Sequence, residues 1–198
     1  MNARDRLVHS MRELLWERGY VGTSPKAVQD RAGAGQGSMY HHFAGKQGLA
    51  EAAIRGTADE LRSTADGLLS GPGTAFERIS AYLRRERDVL RGCPIGRLTQ
   101  DPGVVDSPVL RAPVEETFAW LGGRLAAVLD EGVRSGELDR RVEPAATAAA
   151  IVATLQGGYV LARAAGGTEP FDRAVAGILA LLDPRTVSRS DEKGTDRP

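Results

Sequence analysis

Between residues 4 and 18, Leu7, Val8, Met11, Leu14 and Leu15 recur at the spacing of one helical face, while Arg4, Asp5, Arg12, Glu13 and Arg18 fall largely off it. The pattern predicts an amphipathic helix that stops at Gly19, a residue able to take the left-handed turn that closes many helices. Thr23 and Ser24 before Pro25 signal a second start, because a hydroxyl accepts from free amides and proline suits the first helical position. That helix runs to about Ala32, Gly33-Ala34-Gly35 forms a turn, and residues 36–43 resume a helical register, so two short helices flank a glycine-bearing turn. A longer helix is predicted over 46–69 and is broken by Ser70-Gly71-Pro72-Gly73; another follows over 74–91, with Phe76, Ile79, Leu83 and Leu90 near one face. Pro102, Pro108 and Pro113 mark 101–113 as loop or short turns. Helical patterns resume over 114–133, over 144–165 between Pro144 and Gly166-Gly167, and in a last segment bearing Phe171, Val175, Ile178 and Leu182.

No alternation of the strand type is sustained. The expectation is an all-α fold of about nine helices, with 185–198 a disordered tail, since Val187 is its one sizeable aliphatic residue. Residues 145–162 are free of charge for 18 positions, which approaches the length of a membrane span. Their Ala and Gly content, with Thr147, Thr154 and Gln156, reads instead as a buried or interface helix, and no membrane association is expected.

Net charge is zero, but its distribution is uneven. Residues 1–50 hold seven Lys or Arg against four Asp or Glu, an excess of three positive charges, and all three histidines, His9, His41 and His42. A basic end on a neutral chain suits a polyanionic partner, and the same excess is also met on solvated protein surfaces. Cys93 stands alone, so no disulfide within the chain and no multi-cysteine metal cage can form, in keeping with a reducing cytoplasm. The N-terminal residues lack an apolar run and cleavage site, so export is not expected. Past residue 50 there is no histidine and no recognisable nucleophile-base pairing, which argues against an enzyme. Neither cofactor nor metal is expected: His41 and His42 are adjacent on a helix and diverge by about 100°.

The stretch 19–49 joins a Gly-Tyr-x-x-Thr-Ser lead-in, Val28, an Ala-Gly turn, Gly37-x-x-Tyr40-x-x-Phe43 and Lys46-x-x-Leu49. In order and spacing this resembles the TetR family of bacterial transcriptional repressors, and Gly92-Cys93-Pro94-Ile95-Gly96 resembles a loop of its LmrA/YxaF-like subgroup. The resemblance implies a helix-turn-helix domain over 1–49 and a ligand-binding, dimer-forming domain over 50–184. Gln36, Gly37, Ser38 and His41 would face the major groove, while Tyr40, His42 and Lys46, with Thr23 or Ser24, would hold phosphates. Gly35 and Gln29 depart from the family's usual serine or threonine cap and small residue at those places.

The resemblance further implies a double-stranded operator as partner and a small lipophilic or aromatic effector that releases it. Phe76, Tyr82, Ile95, Phe118, Trp120 and Tyr159 are the candidate ligand contacts, though each is of a type more often found in a core. Two-fold operators need paired recognition helices, so a homodimer is expected through Ile151, Leu155, Phe171, Val175, Ile178 and Leu182, with Gly158 allowing close approach. Alternatives from other classes are a helical interaction protein or an enzyme whose head binds no DNA.

Overall fold

The computed structural model describes residues 2–184; the tail at 185–198 expected to be disordered lies outside the described residues. Among those residues every regular element is helical. The order is α1 (Ala3–Arg18), α2 (Pro25–Ala32), α3 (Gln36–His42), α4 (Gly45–Leu69), α5 (Ala75–Arg84), a 3-10 turn (Gly96–Gln100), α6 (Pro102–Val105), α7 (Pro108–Arg134), α8 (Pro144–Ala165) and α9 (Glu169–Leu182).

The described chain packs as two units, one of residues 2–62 and 91–118, the other of 63–90 and 119–184, with α4 and α7 contributing to both. In the first unit Leu7, Met11, Leu14, Val28 and Met39 are fully buried, and their core does not end at residue 49. Ala50, Ala53 and Ile54 extend it along α4, and Ile95, Leu98, Val104 and Leu110 close it. Polar ties bind the later segment to the helices of the first: Trp16 Nε1 donates to the Gly92 carbonyl at 3.0 Å, Arg97 donates to the Trp16 carbonyl, and Arg91 pairs with Glu13 at 2.7 Å while lying over the Trp16 ring. In the second unit Ile79, Leu83, Leu125, Val128, Leu129, Ile151, Leu155 and Phe171 form the core. Thr74 and Glu77 make a capping box at the start of α5, and the Glu137 carboxylate accepts from the amides of Ala75 and Phe76 at 2.8 Å each, so the free donors of that helix end are met.

Two expectations need correction. The helix predicted over 74–91 ends at Arg84, because Arg87 folds back and donates to the carbonyls of Tyr82, Leu83 and Arg85 at 2.6–2.9 Å, taking up acceptors at which a continuing helix would bond; Leu90 is left exposed. The region 101–113 is mostly helical. Asp101 caps α6 by accepting from the Gly103 amide, and Pro102 and Pro108 occupy first helical positions, where a missing amide costs nothing. Pro113 alone sits inside a helix, and α7 runs through it at the loss of one bond to the Val109 carbonyl, in a turn whose Val109 side chain is exposed.

Candidate nucleic-acid interface

The helix-turn-helix is assembled from short-range rules. Ser24 Oγ accepts from the Ala27 amide at 3.1 Å and Pro25 opens α2. Gly33 closes it at φ +57°, a conformation costly for any residue with a Cβ, and the Ala34 amide returns to the Gln29 carbonyl at 3.0 Å. Gly35 stands at the N-cap of α3 without a side-chain bond, so the start of that helix keeps its amides free of a capping hydroxyl. The unusual Gln29 is accommodated by its amide nitrogen meeting Met39 Sδ at 3.5 Å across the turn.

On α3 the helical period separates packing from presentation. Met39 is buried and Phe43, just beyond the helix, is buried beside it, with Arg4 over the Phe43 ring. Gln36, Gly37, Tyr40, His41 and His42 are exposed and Ser38 is half-exposed; the Tyr40 side chain is 54% accessible although it is a large ring. The His41 and His42 rings meet edge to face at 4.9 Å, and no group of three or more potential metal ligands occurs among the described residues.

Lys46, in the first turn of α4, lies with its ammonium 4.0 Å from the centre of the Tyr20 ring. Burial lowers its pKa from the ordinary lysine value and the nearby Asp101 carboxylate acts in the opposite direction. Asp101 accepts from the Val21 amide at 3.1 Å and so holds the loop between α1 and α2, and it raises the Tyr20 pKa in addition to the larger effect of burial. Tyr20 entered the sequence analysis only through the Gly-Tyr lead-in, without a site role, and Asp101 was not singled out; the Asp101-Pro102 pair carries the same cap-and-proline signal as Ser24-Pro25. Thr23 does not share the exposed surface. Its hydroxyl donates to the Gly19 carbonyl at 2.7 Å and the residue is 1% exposed, leaving Ser24 as the accessible member of that pair.

Comparison with known families bears on the same residues. The family model described as bacterial regulatory proteins, tetR family, matches residues 7–53, and that described as tetracyclin repressor-like, C-terminal domain, matches residues 74–178, more than half of the chain. The chain belongs to the TetR family. It is thus a DNA-binding helix-turn-helix regulator of transcription and not an enzyme. A relative named HTH-type transcriptional repressor DhaR, from Mycobacterium sp. (strain GP1), is 24% identical over 192 residues, covering 96% of each chain. An uncharacterized HTH-type transcriptional regulator in the lacX 3' region of Lactococcus lactis subsp. lactis is 26% identical over 170 residues, 81% of this chain and 83% of that one. The crystal structure of E. coli NemR in its reduced form has the same fold, with a TM-score of 0.81 at 24% identity, covering 91% of this chain and 97% of that one.

In this TetR-family regulator the expected ligand contacts divide between the two units. Phe76, Trp120 and Tyr159 are half-buried and Tyr82 fully buried against the core of the second unit, whereas Ile95 and Phe118 belong to the core of the first. A cavity of about 490 Å³ in the second unit is lined by residues 83–87, Val89, Thr168, Phe171, Asp172, Val175 and Ala176, and by none of those six. The residues expected at a dimer interface are mostly interior. Ile151, Leu155, Phe171, Val175 and Leu182 are buried within the chain and Ile178 is half-buried. Gly158 serves close approach of α8 to α9 in the same subunit: a Cβ there would lie 2.9 Å from Phe171 Cδ2. The outward apolar surface of these helices is instead carried by Ala149, Ala153, Gly157, Val160, Leu161 and Ala164 on α8 and by Gly177, Ala180 and Leu181 on α9.

Proposed function

We propose that this regulator is a repressor that binds an inverted-repeat operator as a homodimer and leaves it when a small lipophilic or aromatic effector binds the second unit. The observation that carries the reading is the exposed set Gln36, Gly37, Tyr40, His41 and His42 on a helix whose Met39 alone is needed for packing. Gln36 and His41, with the half-exposed Ser38, are suited to base edges, and Ser24, Tyr40, His42 and Lys46 to phosphates on either side.

Paired half-sites require two such helices about 34–36 Å apart or at a multiple of that spacing, which one chain does not supply. The outward faces of α8 and α9 support self-association, because Leu161 and Leu181 are 55% and 80% exposed and few charges interrupt them. α8 is also the one helix among the described residues long and apolar enough to cross a membrane, and most of it is not buried in the chain. A second copy of the same surface accounts for that apolar excess, and work on DNA puts the protein in the cytoplasm. Effector release requires the ligand to favour the DNA-free state; a coupling of about 1–3 kcal/mol would change operator affinity roughly 5- to 150-fold.

The test is a mobility shift with duplex DNA from the region upstream of the regulator's own gene, against random-sequence competitor. The expected result is a competitor-resistant complex that weakens steeply as salt rises, since phosphate contacts release counterions. Absence of any complex at low salt contradicts the proposal.

A further inference from the structure

The cavity at the end of α5 is lined by three arginines, Arg84, Arg85 and Arg87, together with Glu86 and Asp172. None of the three arginines has an ion-pairing carboxylate among the described residues. Asp172 instead takes the Thr168 hydroxyl at 3.3 Å, and Glu86 is exposed. Arg87 spends its guanidinium on three backbone carbonyls, and its centre stands 5.4 Å from the Tyr82 ring and 5.8 Å from that of Phe171. Arg85 approaches the same Tyr82 ring at 5.6 Å, and its Nε is buried with no hydrogen-bond partner.

Two like charges therefore flank one aromatic ring without a carboxylate between them, and a buried donor is left unused. Such an arrangement is unfavourable in isolation and is relieved by an anion that accepts from the guanidinium edge. Burial pulls the Arg87 pKa down, and the Arg85 charge acts in the same direction. Apart from Thr168 the rest of the lining is apolar, with Leu83, Val89, Phe171, Val175 and Ala176. Guanidinium groups match a carboxylate in planar geometry, and the apolar residues match a hydrocarbon or aromatic body.

We propose that this cavity is a binding site for a small carboxylic acid with an apolar body, its carboxylate held at Arg85 and Arg84 and its body against Phe171 and Val175. Binding of the acid stands apart from DNA recognition; only the further step, that this acid is the effector, rests on the proposed function.

The test is calorimetric titration of the full chain with 4-phenylbutyrate, with its neutral isostere 4-phenylbutanamide and with inorganic phosphate. The expected result is saturable binding of one phenylbutyrate per chain, weakened at least about tenfold for the amide and at least about tenfold by Arg85→Gln, with Arg134→Gln, remote from the cavity lining, unchanged. The acid–amide comparison uses the unaltered protein, so it decides the matter even where Arg85→Gln fails to fold. Equal binding of acid and amide, binding of phosphate alone, or no saturable binding of phenylbutyrate at millimolar concentration overturns the site. A mobility shift with the same ligand separates the two claims: an unliganded chain that binds its operator while ignoring phenylbutyrate in the calorimeter sinks the site alone, and binding without release of DNA sinks the effector step alone.

Discussion

At Lys46 the ammonium rests on the Tyr20 ring within reach of the Asp101 field, a setting that keeps a flexible side chain close to the recognition helix before DNA arrives. A point charge of this kind neutralises phosphate without reading sequence. Lys46→Ala is therefore expected to weaken binding to all duplexes alike and to flatten the slope of log K against log salt by about 0.9, as measured by fluorescence anisotropy. Gln36→Ala is expected to do the opposite, changing preference at one base pair by about 1–3 kcal/mol with the salt slope unmoved. An exchange of these two signatures would reverse the assigned roles. Glu60 supplies a prediction about pH. Its pKa is lowered, first by the hydrogen bond from Arg12, against a smaller opposing effect of burial, in an ion pair that links α1 to α4. A carboxylate whose folded pKa lies below its unfolded one contributes stability above the unfolded value, and the contribution is lost as pH falls through the folded value. Glu60→Gln should thus cost no more than about 0.5 kcal/mol at pH 7, the side chain being largely exposed and screened, and the difference should vanish in acid denaturation below the carboxylate range.

Individual helices differed in how plainly their ends were written. The starts at Ser24-Pro25 and Pro144 and the stops at Gly19, Gly33 and Gly166 were legible because cap, proline and glycine each act within a few residues. The end of α5 was not, since it depends on Arg87 returning to carbonyls behind it, an event that leaves the apolar spacing through Leu90 intact. Prolines misled for the converse reason: Pro102 and Pro108 begin helices, and their partners Asp101 and Ser107 were the signal. Helices α8 and α9 carry apolar residues on two faces, so periodicity identified a buried stripe without saying whether the chain or a second copy covers it. The structure assigns Ile151, Leu155 and Phe171 to the subunit core, and Gly158 with them. Gly158→Val should accordingly destabilise the fold by about 1–3 kcal/mol, a fall of roughly 2–10 °C in Tm, because a side chain must displace Phe171. Gly123→Ala on α7, with open space around it, is the comparison and should be neutral or stabilising. Equal losses in the two variants would refute the close-approach argument.

For the whole molecule, recognition and assembly are one problem, since a seven-residue helix reaches only a few base pairs and needs a second copy to specify a site. Leu161→Asp places a charge on the outward face of α8 without disturbing the interior. Sedimentation should then report monomers of unchanged helical content, together with loss of specific DNA binding; a dimer that survives the charge would move the interface elsewhere. The most direct trial of the account is selection of bound duplexes from a random-sequence library by the unaltered protein. Enrichment of an inverted repeat whose half-sites lie about one helical turn apart, or a multiple of it, is the predicted outcome. Recovery of unrelated sequences with no shared repeat would contradict the claim that α3 presents its exposed residues to the major groove as one of a pair.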